Sequence, residues 1–225
     1  EVYTRYGTLM GRYYFENRNN IRFGQIPPHL IQALVATEDA RFYEHHGIDT
    51  RSLLRVFFKT ILMGDESSGG GSTISQQLAK NLFPRDTTVY ETQLAYATNL
   101  VLAKFKEWIT AVKLERNYTK KEILVMYLNP VPFGGQSYGI QSAAKTYFNT
   151  HPDSLRVHEA ATLIGLLKAP TRYSPVLHPE RSKQRRNIVL SQMNKYNYLS
   201  DDQYDSLSTM PLNIEYNIQD HNGGP

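Results

Sequence analysis

From Pro27 onward, apolar residues return every three or four positions almost to the end of the chain, with proline or glycine marking the pauses. That rhythm is the mark of amphipathic helices and leaves little room for a sheet. Helices are expected over about 73–82, 87–116, 119–128, 138–147, 157–168 and 179–196. Pro130, Pro132, Gly134 and Gly135 break the middle, and Pro170 closes the apolar run HEAATLIGLLKA. Ahead of these, Pro27-Pro28 opens a helix of about 14–16 residues. Residues 1–26 alternate apolar and polar around Gly7, Gly11 and Gly24, the pattern of short strands or a hairpin. The fold class is mainly α with a short N-terminal β segment.

Bulk properties narrow the choice further. A chain of 225 residues buries a sizeable core without staples, as one domain or a domain with a subdomain. The absence of cysteine excludes disulfides and thiolate metal sites. A net charge of +4 suits an anionic partner such as phosphate, nucleic acid or lipid headgroups. The basic residues are scattered and form no nucleic-acid-binding motif, so nucleic acid is set aside. No apolar run reaches the ~18–20 residues of a membrane span, and no signal peptide is visible. The sequence opens abruptly at Glu1 and ends in DHNGGP, as expected of a piece of a longer protein.

Four local patterns carry chemistry. In the first helix Ile31, Leu34, Val35, Glu38 and Phe42 share one face, which sets a carboxylate in an apolar stripe. Burial disfavours a carboxylate's charge, and a general base works best when it holds a proton near ambient pH. His45, seven residues on, projects to the same side if the helix persists. A semi-buried glutamate paired to an arginine or a backbone amide is the structural alternative. The second pattern is GGGSTISQQLAKN, residues 69–81, where Thr73 and Gln76 form a T-x-x-Q capping box. A helix N-terminus behind glycines offers N–H groups to an anion. Thr73, Gln77 and Lys80 share one face and Ile74, Leu78 and Leu82 another. It is either a phosphate or sugar site or a well-capped surface helix.

The third pattern is AKFKEWITAVKLER, with Phe105, Ile109 and Val112 as the apolar stripe and Lys104 and Glu107 together on a different face. The pair suits a pyrophosphate and a proton, or is an ordinary surface ion pair worth a few tenths of a kcal/mol. Glu115 projects near that face and competes for any acidic role. The fourth is RSLLRVFFKTILM, where Arg51, Arg55 and Lys59 form a basic row beside Leu54, Phe57, Phe58, Ile61 and Leu62. It fits a helix lying among lipid headgroups or a core helix with snorkelling cations.

Taken together the segments resemble the peptidoglycan glycosyltransferases, the lipid II polymerases found as monofunctional enzymes or in class A penicillin-binding proteins. The E-D-x-x-F-x-x-H-x-G pattern stands at Glu38, Asp39, Phe42, His45 and Gly47. G-x-S-T-x-x-Q-Q-x-x-K runs from Gly70 to Lys80, and K-x-x-E is Lys104 and Glu107. I-L-x-x-Y-L-N runs from Ile123 to Asn129, and R-x-x-x-V-L from Arg185 to Leu190. Ala103 departs from the family's Arg before the lysine, Val125 from its Glu, and the 81–103 stretch is longer than usual. Ser142-Ala-Ala-Lys145 matches a transpeptidase S-x-x-K, but no K-T-G follows.

The resemblance implies a lysozyme-like helical main lobe over residues 27–200, with a small membrane-facing lobe at about 48–70. Residues 1–26 would form a strand or linker region and 201–225 a C-terminal linker. It implies an inverting transfer that polymerises lipid II and releases polyprenyl pyrophosphate. Glu38 and Glu107 would be catalytic, and Asp39, Phe42, His45, Ser72, Thr73, Gln77, Lys80 and Lys104 would bind substrate. Arg51, Arg55, Phe57, Phe58, Lys59 and Leu62 would contact the membrane. No cofactor is required by the sequence; the family allows Mg²⁺ or Mn²⁺, with Glu107 as the metal's ligand. The implied partners are lipid II, the growing lipid-linked glycan, the membrane surface and other cell-wall synthesis and division proteins. The implied place is the outer, periplasmic face of the bacterial cytoplasmic membrane, anchored by a helix outside this sequence. A lysozyme-like muramidase or lytic transglycosylase shares the fold and a catalytic Glu, but lacks the second pattern's lysine and the lipid-facing helix. A catalytically dead membrane-surface scaffold rests on Ala103 and Val125, and the retention of Glu38, Lys80 and Glu107 argues against it.

Overall fold

A computed structural model describes residues 2–3, 9–11, 20–55, 71–83, 93–135 and 137–217. Strands β1 (Val2–Tyr3) and β2 (Leu9–Gly11) pair antiparallel, the expected hairpin. The helices are α1 (Pro28–Glu38), α2 (Ile74–Leu82), α3 (Gln93–Asn117) and α4 (Lys120–Leu128), followed by α5 (Ile140–Phe148), α6 (Val157–Leu166), α7 (Pro179–Lys195) and α8 (Asp201–Thr209). Residues 50–55 are also helical. The chain divides into two compact units, Ile31–Leu128 and Glu1–Leu30 with Asn129–Pro225.

In the first unit α2 packs on α3 and α4. Leu34, Phe42, Ile74, Leu78, Ala111, Ile123, Leu124 and Leu128 are fully buried. Each large side chain among them contributes about 1.5–3 kcal/mol through removal from water. Thr119 and Glu122 start α4 with a reciprocal cap: the Thr119 N–H donates to Glu122 Oε2 at 2.7 Å, and the Glu122 N–H to Thr119 Oγ1 at 3.3 Å.

The face that α3 buries differs from the expected stripe. Phe105 and Ile109 are 51% and 56% exposed, while Glu107, Ala111 and Leu114 face inward. The buried set is spaced i, i+4, i+7, so the periodicity was right and the rotation wrong. Polar contacts from α2 set the rotation: Ser72 meets Lys104 and Ser75 meets Glu115.

In the second unit α6 is the central helix. Every residue from His158 to Leu166 is buried, as a helix apolar on all sides requires. α7 packs closely along it, and α8 rests on both. Asn129, the last residue of the I-L-x-x-Y-L-N pattern, brackets Ile21. Its Oδ1 accepts the Ile21 N–H at 2.8 Å and its Nδ2 donates to the Ile21 carbonyl at 3.2 Å.

The expected linker at 201–225 is structured through residue 217. Ser200 and Gln203 cap α8 reciprocally. The Glu215 and Asn217 N–H groups donate to the carbonyls of Tyr147 and Thr146 at 3.0 and 2.8 Å. Arg186 on α7 is wholly buried and donates to the carbonyls of Ser208 (2.9 Å) and Met210 (2.8 Å) and to Asn187 Oδ1. Burial pushes its guanidinium down from the ordinary arginine value.

Among the expected small-lobe residues, Arg51 and Arg55 are exposed on the 50–55 helical stretch. Phe57, Phe58, Lys59 and Leu62 lie outside the described residues, as do 87–92 of the expected 87–116 helix, whose described part begins at Gln93.

Arg186→Ala strands those carbonyls in the interior and is expected to cost about 2–3 kcal/mol. Thermal denaturation checks this: a fall in Tm of roughly 5–10 °C is expected. An unchanged Tm would mean that water replaces the guanidinium without loss.

Candidate active site

α1 delivers Glu38 as its last residue, half-buried above Leu34 and Val35. The helix has 11 residues, shorter than the periodicity predicts, and it stops because Asp39 has other partners. The Asp39 carboxylate accepts Nε2–H of His45 at 3.0 Å and the backbone N–H of Ile74 at 3.0 Å. It thereby closes the first turn of α2 from outside that helix.

Residues 39–47 run as successive turns, with N–H bonds from Phe42 to Asp39 and from Glu44 to Arg41, each 2.8 Å. They end at Gly47, whose φ is +95°. A Cβ at Gly47 would stand 2.8 Å from the backbone of Ala111 and Val112, so only glycine fits against α3 there. The Gly47 N–H donates to His45 Nδ1 at 3.2 Å, which makes Nδ1 an acceptor and puts the ring hydrogen on Nε2, facing Asp39.

These contacts correct several expectations. His45 does not continue the Glu38 face of α1; it turns back beneath the helix end. Asp39 and His45 are buried against each other, and Phe42 has no exposed surface with which to touch a substrate. Lys120 Nζ lies 4.3 Å from the Phe42 ring centre. Thr73 is also buried. Its Oγ1 donates to the Gly47 carbonyl at 2.7 Å and accepts the Gln76 N–H at 3.1 Å, completing the expected capping box. Asp39, Phe42, His45 and Thr73 are therefore framework. The N-terminus of α2 is not open to an outside anion either, because the Asp39 carboxylate already sits on it.

The groups left to meet a substrate lie along α2 and its neighbours. Gln77 Nε2 donates to Glu38 Oε2 at 2.9 Å, and Tyr127 on α4 donates its phenol to Gln77 Oε1 at 2.9 Å. Burial, with the Glu38 charge second, pushes the Tyr127 phenol well above its ordinary range. One turn beyond Gln77, Lys80 is exposed. At the other end of α2, Lys104 Nζ donates to Ser72 Oγ at 3.0 Å and to Glu107 Oε2 at 3.1 Å. Lys104 is half-buried and Glu107 buried. Glu115 is not a rival acid. It accepts from Ser75 Oγ at 2.5 Å and from Lys120 Nζ at 2.8 Å, and Lys120 also donates to the His45 carbonyl at 2.7 Å. Tyr127 and Lys120 were missed by sequence reasoning. For Tyr127 the signal was available: a tyrosine among buried aliphatic residues needs a partner for its hydroxyl.

The family described as Transglycosylase matches residues 6–194. The chain belongs to the transglycosylase family. The chain is 44% identical over 194 residues to Penicillin-binding protein 1F of Bacillus subtilis, covering 86% of this chain and 26% of that protein. It is 40% identical to Penicillin-binding protein 1A of Aquifex aeolicus over 216 residues, 96% of this chain and 28% of that one. The crystal structure of Penicillin-Binding Protein 1A from Haemophilus influenzae superposes with a TM-score of 0.54 at 25% identity, over 96% of this chain and 21% of that chain. The transglycosylase thus spans about a quarter of the length of these relatives. Its mostly helical architecture matches that of the solved relative.

Among the described residues no group of three His, Asp or Glu side chains gathers to hold a metal ion. Glu107, the carboxylate expected to bind one, carries the Lys104 ammonium instead. Among the described residues no helix is long and apolar enough to cross a membrane.

Asp49 offers a check on the turn beneath the site. Burial favours its neutral form, but the Arg41 guanidinium (2.5 and 2.7 Å) and Ser52 outweigh that and hold it at about 2. The folded value lies below the unfolded one, so this contribution is complete above about pH 4 and is lost as pH falls towards 2. Denaturant titrations should show stability declining across that window, with a flatter profile for Arg41→Met; identical slopes would reject the ion pair.

Proposed function

We propose that this transglycosylase is a peptidoglycan glycosyltransferase that polymerises lipid II into glycan strands, inverting the anomeric carbon and releasing polyprenyl pyrophosphate. One observation supports the reading above the others: Glu38 is tied to Gln77 on α2 and Lys104 to Ser72, just ahead of that helix's N-cap Thr73. A base stands at one end and a cation at the other.

In the proposed reaction the 4-hydroxyl of the acceptor lipid II attacks the anomeric carbon of the growing, lipid-linked donor. The new C–O bond forms as the bond from that carbon to the diphosphate oxygen breaks, and the electron pair leaves with the diphosphate. The hydroxyl proton passes to Glu38. Among the described residues Glu38 Oε2 is held by Gln77 and Oε1 accepts no hydrogen bond, so Oε1 is the oxygen open to that proton. Lys104 is proposed to meet the diphosphate as it gathers charge, and a cation fixed there lowers the barrier; Lys80, exposed one turn beyond Gln77 on α2, is a second cation. Glu107 holds the Lys104 ammonium in place. The diphosphate departs as an anion and needs no proton from Glu107. No step is routed through a divalent cation.

In the proposed small lobe, about 48–70, Arg51 and Arg55 are exposed one turn apart, which suits anionic headgroups. The proposed setting is the outer face of the bacterial cytoplasmic membrane, where lipid II and the lipid-linked glycan are presented beside other cell-wall synthesis proteins.

Glu38→Gln should lower polymerisation of purified lipid II by at least ~100-fold, the usual worth of a general base, while lipid II binding survives. Gel-resolved glycan products read the rate, and full activity would end the assignment. Charge reversal at Arg51, Arg55 and Lys59 should weaken co-sedimentation with anionic vesicles. Unchanged co-sedimentation would remove the membrane role from this segment.

A further inference from the structure

The Gln77 amide is held at both ends. A carboxylate only accepts hydrogen bonds, so the end of the amide facing Glu38 must be its NH₂. That leaves Gln77 Oε1 facing Tyr127, whose hydroxyl must then donate. Tyr127 is 1% exposed, and its burial keeps the phenol protonated at any working pH. The carboxylate fixes which way the amide faces, and the Tyr127 hydroxyl donates to the oxygen at its other end. The chain of donation runs in one direction, from Tyr127 through Gln77 to Glu38 Oε2.

We infer that Tyr127 is a positioning residue for the base, fixing the Gln77 amide so that Glu38 keeps one oxygen tethered and the other open for the acceptor's proton. This rests on the reading of Glu38 as general base. Without the phenol the Gln77 Oε1 end loses its anchor, the amide is free to swing away, and Glu38 loses its fixed pose. A misplaced base slows the chemical step and leaves substrate binding alone.

The test is steady-state polymerisation of lipid II by the parent, Tyr127→Phe, Gln77→Met, the double variant and Glu38→Gln. Tyr127→Phe keeps the ring and removes the hydroxyl, and should lower kcat about tenfold with KM within about twofold. Gln77→Met cuts the relay at its middle and should lower kcat at least as much. The double variant should be no slower than Gln77→Met alone, because the tyrosine acts only through the amide. A role in packing alone would instead lower Tm without changing kcat, or give losses that multiply. Full kcat in Tyr127→Phe, or multiplying losses, overturns the inference. If Tyr127→Phe does not fold, Gln77→Met decides, and an unchanged kcat there overturns it too. An active Glu38→Gln brings down the base assignment and the relay together. An inactive Glu38→Gln beside a fully active Tyr127→Phe brings down the relay alone.

Discussion

Asp39 is the residue on which the site's arrangement turns. One carboxylate takes the N–H of Ile74 and the ring N–H of His45. The first bond fixes where α2 begins relative to the end of α1, so Gln77 comes up one turn later beside Glu38. The second fixes the 39–47 turns, whose last residue, Gly47, lies against α3 and accepts from Thr73. Buried charge is costly unless fully bonded, so the aspartate stays only because each neighbour donates to it. Removing it would free both helix ends that meet at the site.

The helices themselves were legible. The expected 73–82, 119–128, 138–147, 157–168 and 179–196 differ from the observed bounds by at most a few residues, because apolar spacing, caps and prolines agree at those places. The capping box at Thr73 and Gln76 was also readable, since it needs only neighbours in sequence. Two things were not. The end of α1 could not be seen, because Asp39 leaves the helix for partners 6 and 35 residues away. The rotation of α3 could not be seen either: Phe105 and Ile109 are the more apolar stripe, yet hydroxyls at Ser72 and Ser75 hold the Lys104 and Glu115 side inward.

The same contrast runs through the site residues. Lys104 and Glu107 share a face of α3, as their spacing suggests, and Glu38 ends α1 half-buried. Phe42, His45, Asp39 and Thr73 belong to equally specific patterns, but they hold the scaffold. A motif records which residues a fold requires and does not separate those that touch a substrate from those that hold the others in place. Burial separates them, and burial is a tertiary property.

The carboxylate seated on α2 carries one more implication. A helix start lined with backbone amides makes a rigid, preformed cradle for phosphate, but here an internal anion already fills it. In the proposed reaction the departing diphosphate meets lysine side chains instead, Lys104 tethered by Ser72 and Glu107 and Lys80 exposed. Two side chains grip a diphosphate at fewer points than a ring of backbone amides does. A catalyst that must clear its leaving group before each new sugar arrives is better served by that loose hold than by a permanent nest.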